Sequence, residues 1–192
     1  MALHPRNPCH HLRGGGFAFR WKKFHTTNRD VNQPEQKEQM SNYEKGYAFE
    51  KFVVESFDKG FFSIVRWQGD KGINGRYAEE NHDPDVVFRL ETNTKGWEEI
   101  AVECKYRSNS NWEDEFSLCS DKQLKHYQKF ERVNKMKTFI VVGVGGKPNA
   151  PEDLYVLEVR KMRDGILHES QMGKYKKDGA SFFYDMYKKE LR

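Results

Sequence analysis

The segment Thr138 to Val144 constrains this chain more than any other. It reads Thr138-Phe139-Ile140-Val141-Val142-Gly143-Val144, a nearly continuous apolar run. A strand with one wet face alternates apolar and polar residues, whereas a strand covered on both faces does not. The run therefore predicts an inner strand, and an inner strand needs covering layers on both sides of its sheet. The predicted class is α/β: a mixed β-sheet flanked by helices on both faces.

The rest of the chain supplies those layers. Ser41-Asn42-Tyr43-Glu44 is a capping box that starts a helix. Phe49, Phe52, Val53 and Phe57 follow at helical spacing, and Lys59-Gly60 ends it. Phe61 to Gln68 is a strand pattern, and Gly69 to Tyr77 is a glycine-rich loop carrying Lys71 and Arg76. Pro84 to Leu90 and Glu99 to Arg107 are strands joined by a turn around Asn93 to Gly96. These three strands have short connections and predict an antiparallel meander. Residues 108–120 read as irregular. A helix over Asp121 to Asn134 crosses to the inner strand, which should run parallel to its predecessor. Leu154 to Val159 is a further strand, and Ser181 to Leu191 reads as an amphipathic, aromatic-rich terminal helix. The body is expected over 41–192, behind a flexible basic extension over 1–40 that holds Pro5, Pro8 and the run Gly14-Gly15-Gly16.

Charge enters because it misleads. The chain of 192 residues carries a net +4. Residues 1–29 hold Arg6, Arg13, Arg20, Lys22, Lys23 and Arg29 and no acid, so residues 30–192 keep 27 basic against 29 acidic residues. A nucleic-acid site in the body must then be a local patch, or use a metal to offset charge repulsion. No apolar run approaches the roughly 20 residues of a membrane helix, so no membrane partner is expected. Cys9, Cys104 and Cys119 form no CxxC pair. That favours a reducing, intracellular (cytoplasmic) setting without a disulfide framework. Cys9-His10-His11 has no matching second pair for a metal. The acid-free start is faintly similar to an organellar transit peptide, although it is Ser-poor and contains Pro and Gly. Met40 directly precedes the first helix, so a mis-assigned start is a third reading of residues 1–40.

The chemistry sits in two of the strands. Asp85 opens Pro84-Asp85-Val86-Val87-Phe88, and Glu103 and Lys105 lie in Ile100-Ala101-Val102-Glu103-Cys104-Lys105. Alternation puts Glu103 and Lys105 on one face, roughly 6.7 Å apart, with Ile100, Val102 and Cys104 on the other. Two acids and a lysine are costly to bury unless they bind something. A divalent metal and a phosphate would satisfy all three. Asp85 and Glu103 offer carboxylates, the Cys104 carbonyl points to the strand edge nearby, and Glu50 on the first helix could reach over the sheet end, directly or through water. Such a metal makes hydroxide available near neutral pH. Lys105, held cationic by the acids, then orients water and stabilises developing negative charge. Asp83 is a rival to Asp85, and His82 a loop histidine or outer partner.

Gln123 and Tyr127 share a helical face that could look onto this site. Gln123 could hold a phosphate or the attacking water, yet Ser120-Asp121-Lys122-Gln123 also fits a capping box. Tyr127 reads as a contact to a nucleic-acid backbone oxygen or as a core aromatic. Lys122 and Lys125 could touch backbone phosphates, and Lys71, Arg76 and Arg107 flank the site. Trp112 could stack on an unpaired base or anchor its loop. Gly143-Val144-Gly145-Gly146-Lys147 lacks the spacing of a phosphate loop and reads as a strand-ending turn.

Pro84-Asp85, followed eighteen residues on by Glu103-Cys104-Lys105, resembles the PD-(D/E)XK nuclease superfamily. The preceding helix with Glu50, and the QxxxY pattern of Gln123-Leu124-Lys125-His126-Tyr127, resemble its RecB and lambda-exonuclease branch. The resemblance covers roughly residues 41–160. It implies a restriction-endonuclease-like fold, dependence on Mg²⁺ or Mn²⁺, and hydrolysis of DNA phosphodiesters. Repair, recombination and mobile-element defence are all compatible with it, as are exo- and endonuclease action, and RNA stays open as a substrate. The alternative is a non-catalytic nucleic-acid-binding module with the same fold.

Overall fold

The computed structural model of the protein describes residues 40–68, 83–91, 96–108 and 115–192, with the backbone of 72–73 and 76–77. All of them belong to the unit Gln39–Arg192. In chain order the elements are α1 (Asn42–Glu55), β1 (Phe62–Trp67), β2 (Gly72–Ile73), β3 (Arg76–Tyr77), β4 (Val86–Glu91) and β5 (Trp97–Arg107). Then come β6 (Glu115–Ser117), α2 (Asp121–Asn134), β7 (Lys137–Val144), β8 (Asp153–Glu158) and β9 (Ile166–His168). The chain ends with α3 (Glu169–Tyr175), β10 (Lys176–Lys177), β11 (Tyr184–Asp185) and β12 (Glu190–Leu191). No helix among the described residues is long and apolar enough to cross a membrane.

The main sheet has the order β1-β4-β5-β7-β8-β10. β1, β4 and β5 form the expected antiparallel meander, and α2 carries the chain to β7, which lies parallel to β5. Residues Thr138 to Val144 are all buried. The alternation shows why: Phe139 and Val141 enter one core with Phe49, Val53, Ile100 and Val102, while Ile140 and Val142 enter a second with Leu124, Tyr127 and Leu157. One core lies beneath α1 and the other beneath α2. This is the mixed sheet with helices on both faces expected of a restriction-endonuclease-like fold. Gly143 permits the tight seat of α1, because a Cβ there would lie 2.3 Å from Cε2 of Phe49. After β7 the chain turns through Gly145 and Gly146, both at positive φ, and Lys147 and Ala150 bond to each other across the turn. That segment is a strand-ending turn, as expected.

The C-terminus differs from expectation. Ser181 to Leu191 is not a helix; β11 and β12 pair as a short antiparallel hairpin. Local turn chemistry and strand alternation override the helical pattern there. Asp185 Oδ1 accepts the N–H groups of Tyr187 and Lys188, both at 3.0 Å, and Lys189 sits at φ 56°. Phe182 and Tyr184, two apart, are both buried, with Phe182 stacked on Phe57 at 4.7 Å. A helix would have turned one of them outward. Within the stretch read as irregular, β6 pairs with β9.

Candidate active site

The register of β5 makes the site. Its pairing with β4 ends at Val86↔Val102, whereas its pairing with β7 continues to Arg107↔Val144. From Glu103 onward no strand among the described residues pairs with the β4-side edge of β5. Asp85, the residue just before β4, fills this opening: its Oδ2 accepts the backbone N–H of Cys104 at 2.9 Å. In an extended strand the N–H and C=O of one residue point to the same edge, so the Cys104 carbonyl faces the opening too. The Cys104 thiol goes the other way, into the core beneath α1.

Val86, Phe88 and Leu90 belong to the core beneath α1, so alternation turns Asp85 to the opposite face, with Glu103 and Lys105. Asp85 and Glu103 are almost fully buried, at 3% and 4% exposure. Glu103 Oε1 accepts the hydroxyl of Tyr127 at 2.7 Å and is ion-paired with Lys105. Burial raises the carboxyl pKa of Glu103, the charge of Asp85 raises it further, and Lys105 and Tyr127 oppose them. Burial alone would depress the Lys105 ammonium; the carboxylates of Glu103 and Asp85 outweigh it and hold Lys105 above its ordinary value. Tyr127 is pushed far up, first by burial and then by Glu103, so its hydroxyl is a permanent donor. Asp83 is separated from this cluster by its own partner, Arg66, at 2.9 Å. Asp85, not Asp83, is the acid the fold brings to Glu103.

The other expected residues are distributed unevenly. Tyr127 is buried and bonded to Glu103, so it orients a carboxylate; the reading as a nucleic-acid contact is not met. Gln123 closes the capping box of α2: its Oε1 accepts the N–H of Ser120 at 3.0 Å, and Ser120 Oγ accepts the N–H of Gln123 at 3.3 Å. The helix start claims the amide oxygen that a role with water or phosphate would have used. Glu50 is half-buried on α1, the helix that covers the face of the sheet opposite α2. Its charge acts on the Cys104 thiol, which is raised first by burial, then by Asp85 and then by Glu50. Among the described residues, no three His, Cys, Asp or Glu side chains are grouped to hold a metal ion, so Glu50 does not complete a three-carboxylate cluster. Arg107 is engaged elsewhere: its guanidinium donates to the carbonyls of Ser117 at 2.8 Å and Leu118 at 3.4 Å, tying β6 to β5. Lys122 and Lys125 are exposed on α2. Lys71, His82, Trp112 and the side chain of Arg76 lie outside the described residues.

No protein-family model matches this chain, and no curated protein matches it. Among solved structures it is similar to Hjc, a Holliday junction resolvase from the archaeal hyperthermophile Archaeoglobus fulgidus. The identity is 18%, the TM-score is 0.45, and the match covers 68% of this chain and 89% of that one.

One residue of this opening was not singled out from the sequence. The N–H of Gln68 donates to the carbonyl of Asp85 at 2.8 Å, extending the β1–β4 ladder by one step. Residues opposed across an antiparallel pair share a face, so the Gln68 side chain lies on the face of Asp85. Its Nε2 is shielded from solvent and donates to no described residue. A shielded donor beside a cluster of acids is placed to meet a substrate oxygen or an ordered water. Plain alternation from Phe62 would have turned Gln68 to the α1 face; the register shift between Ile64 and Arg66 turns it to the face of Asp85, and nothing in the local sequence signals that shift.

Proposed function

We propose that this protein is a metal-dependent nuclease that hydrolyses phosphodiester bonds in DNA. The observation that supports the reading best is the opening beside β5, where Asp85, Glu103, Lys105 and the Cys104 carbonyl converge in buried surroundings. The donor set fits a hard cation: two carboxylates and a carbonyl, with water for the remaining positions. The raised carboxyl of Glu103 fits it as well, since a nearby cation reverses the repulsion from Asp85 that helps to raise it. Asp85, Glu103 and the Cys104 carbonyl would hold Mg²⁺ or Mn²⁺, with Glu50 acting through water from the α1 side. When bound, the ion supplies charge neutralisation on the phosphate and an acidified water.

The chain's own residues do the rest. Tyr127 fixes the Glu103 carboxylate, and the N–H of Cys104 fixes Asp85. Lys105 keeps its proton and stabilises negative charge as it develops on the phosphoryl oxygens. Gln68 offers Nε2 to a phosphate oxygen on the same face. Lys122 and Lys125 contact the substrate backbone outside the opening.

A second reading has an observation of its own. Asp85, Glu103 and Lys105 all have protein partners, so the cluster also suits a non-catalytic nucleic-acid-binding module. Incubation with plasmid and linear DNA in Mg²⁺, Mn²⁺ or EDTA separates the two. The nuclease reading expects nicked or shortened DNA in metal and none in EDTA, with loss in Lys105→Ala. Intact DNA under every condition, or full cutting by Lys105→Ala, would defeat it.

A further inference from the structure

Helix α2 carries Lys122, Lys125, Lys129 and Arg132. At 3.6 residues per turn these four fall within an arc of roughly 80° and extend about 15 Å along the axis. All four are exposed, and among the described residues none of them forms an ion pair. Their spacing sets like charges at i,i+3, i,i+4 and i,i+3, each pair unfavourable for an isolated helix. The helix dipole explains Arg132 and the C-capping Lys135, since cations suit a helix C-terminus; it opposes Lys122 in the first turn. The stripe therefore costs helix stability at one end and repels itself throughout, which a polyanion lying along it would reverse.

Two further observations place the stripe on the molecule. Tyr127 lies roughly 140–160° around the helix from these four side chains and bonds Glu103, so the stripe runs along the outer face of the helix whose inner face covers the candidate active site. At the other end α2 runs into a hollow of about 550 Å³ whose rim carries Arg132, Lys135 and Arg160. Arg160 is partly committed to Glu131 and Glu158, at 3.9 and 3.6 Å, while Arg132 and Lys135 have no acidic partner among the described residues.

We propose that α2 is a track for the phosphate backbone of a nucleic acid. It runs along the outer face of the helix from Lys122 to a phosphate subsite at Arg132 and Lys135. At a rise of about 3.4 Å per nucleotide along one strand, 15 Å corresponds to about four nucleotides. This inference is measured independently of the nuclease reading.

The test is duplex binding in EDTA, followed by fluorescence anisotropy across a salt series with the full chain. The variant Lys129→Gln/Arg132→Gln/Lys135→Gln is compared with wild type and with a charge-matched control, Lys51→Gln/Lys59→Gln/Lys188→Gln, at exposed positions outside α2. Losing three phosphate contacts should lower the slope of log K against log salt by about 2.7, and affinity at 0.1 M salt by tenfold or more. The control should keep the wild-type slope within about one unit. An unchanged slope in the α2 variant, or an equal fall in the control, overturns the track. Cleavage in Mg²⁺ is scored separately. Cutting by wild type with an unchanged α2 slope leaves the nuclease reading standing without the track, and a lowered slope without cutting leaves the track without the nuclease.

Discussion

Tyr127→Phe removes a single oxygen and probes the core of the site. The hydroxyl donates to Glu103 at 2.7 Å, and both side chains are nearly inaccessible, at 3% and 4% exposure. Hydrogen bonds to charged groups contribute about 1.5–3 kcal/mol, and the phenyl ring keeps the packing of the phenol, so little cavity cost is added. Glu103 retains Lys105, so the carboxylate is weakened rather than abandoned, and a loss near 2 kcal/mol is expected. For a folded unit of this size that corresponds to a fall in Tm of about 4–8 °C. The assay is a double-mutant cycle with Glu103→Gln, Tyr127→Phe and the pair, followed by thermal or urea unfolding. A coupling of about 1–2 kcal/mol is expected, because either single variant already breaks the same charge-assisted hydrogen bond. A coupling below about 0.3 kcal/mol would refute the claim that Tyr127 acts through Glu103. In the nuclease reading the same variant should raise the Mg²⁺ concentration for half-maximal cutting by about 10–100-fold, the usual range for a residue that orients a metal ligand.

Three other outcomes follow from the same geometry. Glu103 has a raised carboxyl, so the folded state holds that proton to higher pH than the unfolded chain, and stability falls as pH rises from about 4.5 through the raised value; Tm of wild type minus that of Glu103→Gln, measured from pH 4.5 to 8, should decline with pH, and a flat or rising difference contradicts the shift. Gln123→Glu preserves the capping box while Gln123→Ala opens it, so Ala should cost about 0.5–2 kcal/mol and Glu almost nothing in thermal melts; cutting abolished in Glu at unchanged stability would return Gln123 to the chemistry. Gly143→Ala should destabilise by about 1–3 kcal/mol through collision with the Phe49 ring, and an unaltered melt would contradict the close seat of α1 on β7.

What could be read in advance follows the range of the interactions. The inner strand, the capping boxes at Ser41 and Ser120, and the parallel crossover through α2 are written in local periodicity and short spacing, and the structure contains them. The facing of Glu103 away from Cys104 is likewise a matter of strand alternation. The C-terminal hairpin was not legible, because Asp185 bonding two following N–H groups competes with an apolar pattern that suits either period. The choice between Asp83 and Asp85 could not be made from spacing. It depends on where the β4–β5 pairing stops and on Arg66, which arrives from another strand to take Asp83. Tyr127 was placed on the right face of α2, but its partner was not legible, since a tyrosine pattern does not say whether the hydroxyl meets solvent, substrate or a buried acid.

The partners of the charged cluster also bear on how it could work. Lys105 is bound to Glu103, and its pKa stays high because two acids surround it. A lysine held so firmly cationic is a poor general base and a good electrostatic stabiliser, which fixes its role if phosphodiester chemistry occurs here. The same pairing means that the acids do not need a metal in order to be buried. A metal would compete with Lys105 for Glu103 and release its ammonium toward the substrate. The ion pair and the proposed activity then describe two states of one cluster, and Lys105→Ala distinguishes them without any cleavage assay. Removing the ammonium leaves two buried acids facing each other, which should lower stability in EDTA by about 1–3 kcal/mol after discounting for its partial exposure. Millimolar Mg²⁺ should then restore more of the melting temperature in the variant than it adds to the wild type. Equal responses to Mg²⁺ in both proteins would show that the opening beside β5 does not collect a cation through Asp85 and Glu103.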